Sequence, residues 1–218
     1  MNGRKTLERP WQVWHDEEPI RIGVSSCLLG AEVRYDGGHK LDRYLAEVLG
    51  EFFEWEPVCP EVEIGLGVPR PPIRLVKGRT APRLVEPESG EDLTERMESF
   101  ARERLAELQE AGLDGFILKS RSPSCGIELV KVFGQNESPK RNGIGVFARA
   151  LILRRPDLPV AEDEILEDPG LSRDFFERVL QHHRRRTLSR RGLDQQQSAE
   201  FHTAHQLLLE RLMARAQG

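Results

Sequence analysis

Apolar and polar positions divide the chain into short apolar runs and longer amphipathic ones. "PIRIGVSSC" is a compact apolar run ending at Cys27, and it reads as a short buried strand. "KLDRYLAEVLGEFFEW" then sets Leu41, Tyr44, Leu45, Val48, Leu49 and Phe52 on one helical stripe. "WEPVCP" predicts a second strand, again ending at a cysteine, Cys59. From Glu61 to Glu88 Gly and Pro are frequent and no period emerges, which predicts a long loop region. The clearest helix is "SGEDLTERMESFARERLAELQEAG", where Leu93, Met97, Phe100, Leu105 and Leu108 recur near helical spacing. Ser89 or Asp92 is expected to cap its start and Gly112 to end it. "LDGFILKS" predicts a third strand leading into a Ser-Pro-Ser-Cys turn, and "NGIGVFARALILRR" a further strand or short helix.

Strands alternating with helices favour an α/β fold, a Rossmann-like parallel sheet flanked by helices, with a C-terminal helical extension. Residues 1–19, polar and Pro-containing, are expected to be an irregular lead-in. The main domain is expected over 20–160 and the helical extension over 161–218, with the boundary inside 155–172, where "RRPDLPVAEDEILEDPG" collects Pro, Asp and Glu. No internal repeat stands out.

Composition narrows the function classes. With 32 Lys and Arg against 36 Asp and Glu, the net charge is -4, which argues against a general nucleic-acid binder. No apolar run has the length of a membrane span, and "MNGRKTLERPWQVW" lacks a signal-peptide core, so a cytoplasmic protein without a membrane partner is expected. Three cysteines in that compartment do not make a disulfide framework, and the odd number favours metal or redox use.

The three predicted strands end at or lead into the three cysteines. In open parallel sheets the carboxyl ends of strands line the ligand crevice, so Cys27, Cys59 and Cys125 are expected to converge there. Three thiolates without a fourth suit a metal centre with one open coordination position. Zinc of the catalytic type and a [4Fe–4S] cluster with one free iron both match that count, and both suit soft sulfur ligands. Buried structural thiols are the alternative. Gly30, Pro60, Pro123 and Gly126 favour exposed bends over core strands and so favour the metal. His39, at the end of a Gly-Gly turn, is not counted as a fourth ligand. His182, His183, His202 and His205 lie in the tail, where "HHRRRTLSRR" reads as a solvated helix face or an interdomain contact, and His202 with His205 as an exposed pair.

"SSCLLG", "VRYDGGHK", "PVCPEVEIGLGVPRPP" and "LKSRSPSCG", in that order over about residues 20 to 155, resemble the thiouracil-desulfidase-like (TudS-like) family. The stretch "FHTAHQLLLERL" resembles the opening of the YbgA-type helical domain that is often fused behind it and is normally longer. The resemblance implies a [4Fe–4S] cluster held by Cys27, Cys59 and Cys125, and a non-redox replacement of sulfur by water on a thiolated pyrimidine or related thiocarbonyl. It points to Glu61 as acid or base, with Ser122 and Ser124 beside Cys125 as catalytic candidates. Arg34, Tyr35 and Asp36, with Lys119 at the end of the third strand, are candidate substrate-binding residues. "VPRPP" around Arg70 is a candidate lid or rigid loop. The competing function is a zinc- or cluster-organised module that binds protein or nucleic acid without catalysis. Oligomeric state is left open.

Overall fold

A computed structural model describes residues 18–135, 137–192 and 194–216; the expected lead-in over 1–19 lies almost wholly outside them. The elements are β1 (Arg21–Ser25), β2 (Glu54–Val58), α1 (Pro60–Glu63), β3 (Arg74–Val76), β4 (Arg83–Val85) and α2 (Thr94–Glu110). They continue with β5 (Gly115–Leu118), β6 (Val130–Phe133), β7 (Lys140–Gly143), α3 (Val146–Arg154), β8 (Val160–Glu162), α4 (Pro169–Arg191) and α5 (Gln195–Ala216).

The main sheet has the order β2-β1-β5-β8, and every neighbouring pair is parallel. This is the expected α/β architecture. Alternation along the strands sends side chains to opposite faces, and each face has its own core. Ile22, Val24 and Ile117 face Leu45, Leu49, Phe175, Phe176, Val179 and Leu212, so α4 and α5 cover that side. Val58, Phe116 and Leu118 face Met97, Ala101, Leu105, Phe147 and Leu151, so α2 and α3 cover the other. Burial on both faces explains why β5 reads as an unbroken apolar run. Gly23 belongs to this packing, since a Cβ there would stand 2.3 Å from the ring of Phe116 on the neighbouring strand.

The main helix starts at Thr94, whose amide donates to Asp92 Oδ1 at 3.0 Å, and its chain leaves through Gly112 at φ +74°. Its buried positions, Met97, Ala101, Leu105 and Leu108, keep helical spacing.

Two expectations change. The 41–52 stripe does not form a regular α-helix: Tyr44–Val48 is π-type and Leu49–Glu51 is 3₁₀, although Leu45, Leu49 and Phe52 are buried as the stripe predicts. The 61–88 region is not all loop. It holds α1 and the antiparallel pair β3–β4, which joins β6 and β7 in a second sheet of order β4-β3-β6-β7. Strands of three residues are too short for alternation to register, and each buries one side chain, Leu75 or Leu84, against the α2 core. Among the described residues no helix is long and apolar enough to cross a membrane.

Candidate active site

Parallel strands bring their carboxyl ends to one edge, and the three cysteines stand there. Cys27 lies in the 3₁₀ turn Ser26–Leu29 that leaves β1. Gly30, at φ +89°, closes that turn, and the Cys27 carbonyl also accepts from the Lys40 amide at 2.9 Å. Cys59 follows β2 and caps α1, with Pro60 at the first helical position and the Cys59 amide donating to Glu63 Oε1 at 2.8 Å. Cys125 sits in the turn after β5. The Ser122 hydroxyl oxygen accepts from the amides of Ser124 and Cys125 at 3.2 and 3.1 Å, and the Gly126 amide donates to the Ser122 carbonyl at 2.8 Å. This turn rests on the start of α3, where a Cβ on Gly145 would meet the Ser124 carbonyl oxygen at 2.4 Å.

All three cysteines line one cavity of about 300 Å³, together with Arg34, Tyr35, Lys40, Glu61, Arg70, Lys119, Arg121 and Ser122. The cysteines are all free. Burial pushes the Cys27 thiol up to about 11, with further repulsion from Cys59. Burial also raises Cys59, with Glu61 adding to it and Arg70 opposing it. Cys125 is raised well above the ordinary thiol range by burial, against a hydrogen bond from Ser25, with Glu61 and the other two cysteines adding repulsion. Three sulfurs that repel one another's charge, in a cavity lined by five cations and a single carboxylate, form a donor set that a soft cation would neutralise. Among the described residues no three His, Cys, Asp or Glu are grouped closely enough to hold a single metal ion. The three thiols surround one cavity, and soft sulfur donors of this kind suit a metal centre.

Glu61 faces this cavity. Its Oε2 takes Arg70 Nη2 at 2.5 Å and Nε at 3.2 Å, and its Oε1 accepts from the Ser124 hydroxyl at 2.9 Å. Arg70, whose side chain is only 6% exposed, also donates to the Gly67 carbonyl, and its amide donates to the Tyr35 carbonyl. Ser124 is fully buried behind Glu61, off the cavity wall. Arg34 and Tyr35 do line the wall, with the guanidinium 5.6 Å from the Tyr35 ring centre. Asp36 does not line it: its carboxylate accepts from the Gly38 amide and pairs with Arg34 at 3.3 Å, shaping the turn. Lys119 reaches the wall with Nζ held by Asp163 Oδ2 at 2.8 Å and Ser120 Oγ at 2.7 Å. Arg70 as the partner of Glu61, and Asp163 as the partner of Lys119, escaped the sequence reading. "VPRPP" carried the only signal for Arg70, and nothing marked Asp163.

Of the two readings of the tail run, His182 and His183 follow the contact with the main domain, since both are buried. The exposed pair is corrected in one member, because His205 is buried while His202 is exposed. Asp114, just before β5, accepts from His183 Nδ1 at 2.9 Å and from Arg186 Nε and Nη2 at 2.9 and 3.0 Å, with His182 Nδ1 3.4 Å away.

The comparisons with known proteins agree with this geometry. The family model described as 2-thiouracil desulfurase matches residues 22–163. An uncharacterized protein, YbbK, of Bacillus subtilis (strain 168) is 34% identical over 149 residues, covering 66% of this chain and 97% of its own length. Among solved structures, the [4Fe–4S]-dependent thiouracil desulfidase TudS is similar with a TM-score of 0.55 and 33% identity, covering 70% of this chain and 95% of that one.

Proposed function

The chain belongs to the 2-thiouracil desulfurase family, and from that premise we propose that it is a [4Fe–4S]-dependent desulfidase that converts thiocarbonyl compounds such as 2-thiouracil to the oxo product and sulfide. One observation carries the reading: Cys27, Cys59 and Cys125 line a single cavity at the carboxyl ends of three adjacent parallel strands, with Glu61 facing the same space.

The reaction is a hydrolysis without electron transfer. Water adds its oxygen to the carbon, the C–S bond breaks, and the sulfur leaves with the protons as hydrogen sulfide. A [4Fe–4S] cluster held by the three cysteines would supply a Lewis-acidic iron with a position open to the substrate sulfur. Glu61 takes a proton from the attacking water and returns one to the departing sulfur. Arg70 and Ser124 fix its two carboxylate oxygens, so that the group is already oriented when substrate arrives. Ser122 spends its lone pairs on the turn amides and keeps its hydroxyl proton for the substrate side of the cavity. Tyr35 and Arg34 offer a face and a cation for a flat heterocycle, and Asp36 acts at one remove by shaping their turn. Lys119, held by Asp163, adds a fixed positive charge beside Cys27 that favours developing negative charge on sulfur.

Anaerobically reconstituted protein is expected to be brown and to release sulfide and uracil in equal amounts from 2-thiouracil. Cys125→Ser is expected to lose both the colour and the sulfide. A protein with an intact cluster that releases no sulfide from thiolated pyrimidines overturns the assignment.

A further inference from the structure

The loop between β5 and β6, which carries Cys125, is bracketed by two residues in a conformation that side chains rarely adopt. Arg121 has φ 58° and Leu129 φ 54°, and neither is glycine. Each such residue is unfavourable on its own and persists only where its neighbours over-determine it. The neighbours are held from one place. Glu162, Asp163 and Glu164 follow one another at the carboxyl end of β8, whose Glu162 is paired in register with Leu118 of β5. Asp163 Oδ1 accepts from the Ser120 amide at 2.6 Å, directly before Arg121. Glu162 Oε1 accepts from the amides of Ile127 and Glu128 at 2.6 and 3.2 Å, directly before Leu129. Glu164 accepts from the Ser120 hydroxyl at 2.9 Å and pairs with the Arg121 guanidinium at 2.7 Å.

We infer that Glu162, Asp163 and Glu164 form a clamp that sets the position of the Cys125 loop by gripping its backbone at both left-handed bends. The three carboxylates touch no cysteine, so they are positioning residues. They serve the proposed desulfidase site, but the geometric claim concerns the loop and is testable without turnover. Both groups bonded to Glu162 are backbone amides, so Glu162 acts as a hydrogen-bond acceptor more than as a charge. Glutamine at that position keeps a carbonyl oxygen and alanine keeps none, and this separates positioning from simple electrostatics.

The test compares the full chain with Glu162→Ala, Glu162→Gln and Asp163→Ala. In metal-free protein, each cysteine's rate of alkylation is followed by peptide mass spectrometry. Cys125, only 5% exposed, is expected to react slowly in the starting protein. Glu162→Ala and Asp163→Ala are expected to speed Cys125 about tenfold through the loss of their hydrogen bonds to the loop backbone, and Glu162→Ala to leave Cys27 and Cys59 within a factor of about two. Asp163→Ala also frees the Lys119 charge beside Cys27, so Cys59 is its control. Glu162→Gln restores the slow rate. In reconstituted protein, the same two alanine variants bleach about tenfold faster under an iron chelator. Equal acceleration at all three cysteines means general loosening and overturns the clamp, as does no acceleration at Cys125. If Cys125 responds as expected but the protein never holds a cluster, the clamp stands and the proposed cofactor falls.

Discussion

The two edges of the main sheet carry similar amounts of polar chemistry and use it in opposite ways. At the amino edge, Asp114 is fully buried, yet His183, Arg186 and the Arg21 amide donate to it, and His182 lies beside it. Burial pushes the Asp114 carboxyl up, but these hydrogen bonds outweigh it and hold it well below the ordinary carboxylate range. The network closes on itself and joins α4 to the sheet. At the carboxyl edge, three thiols are raised by burial and turned toward a cavity that the chain does not fill. A satisfied buried charge serves stability, and metal-binding thiols around an open cavity serve binding. The strand β5 connects the two edges over about 13 Å, so substitutions at one edge should leave the other nearly untouched.

Three experiments sharpen this contrast. The largest effect is expected from Glu61→Gln, which keeps the acceptor for Ser124 but removes the base. Turnover should fall by about 10²–10⁴-fold. Asp114→Ala should act on stability instead of turnover. Removing the partner of buried His183 and Arg186 is expected to cost about 3–5 kcal/mol of unfolding free energy. Sulfide release per folded molecule should stay unchanged, and a loss of activity in the folded fraction would show that the edges are coupled.

The smallest effect concerns His205 in α5. Burial pulls its pKa from 6.5 down to about 3, with repulsion from nearby His183, Arg184 and His202 and an opposing pull from Asp114. The folded protein therefore keeps this ring neutral where the unfolded chain protonates it. Its contribution is full above the unfolded pKa and is lost as pH falls from about 6.5 toward 3. By about pH 5 the loss should reach about 2 kcal/mol, read from urea unfolding. His205→Leu should flatten that slope by the same amount. An unchanged slope in the variant would place the acid sensitivity elsewhere.

Much of the site was legible before the fold was known. Cys27, Cys59 and Cys125 follow short apolar runs, and a parallel sheet presents the ends of its strands on one side. Glu61 was visible two residues beyond Cys59 in a recognisable motif. Other features were not. The β3–β4 pair was hidden because three-residue strands have no measurable period. The buried His182 and His183 lie in a run of arginines whose local pattern suits a solvated face or an interdomain contact alike; they are buried because α4 lies across the sheet and Asp114 waits beneath it. Arg70 and Ser124 reach Glu61 from 9 and 63 positions away.

The sequence by itself determined the family, the α/β class, the thiol count and the candidate carboxylate, because strand period, turn residues and motif order are local properties. Only the tertiary structure decided which groups partner those residues: Arg70 and Ser124 on Glu61, Asp163 on Lys119, and the Glu162–Glu164 run on the loop of Cys125. Those contacts depend on the order β2-β1-β5-β8, and strand order is set by the joint packing of both faces rather than by any one segment.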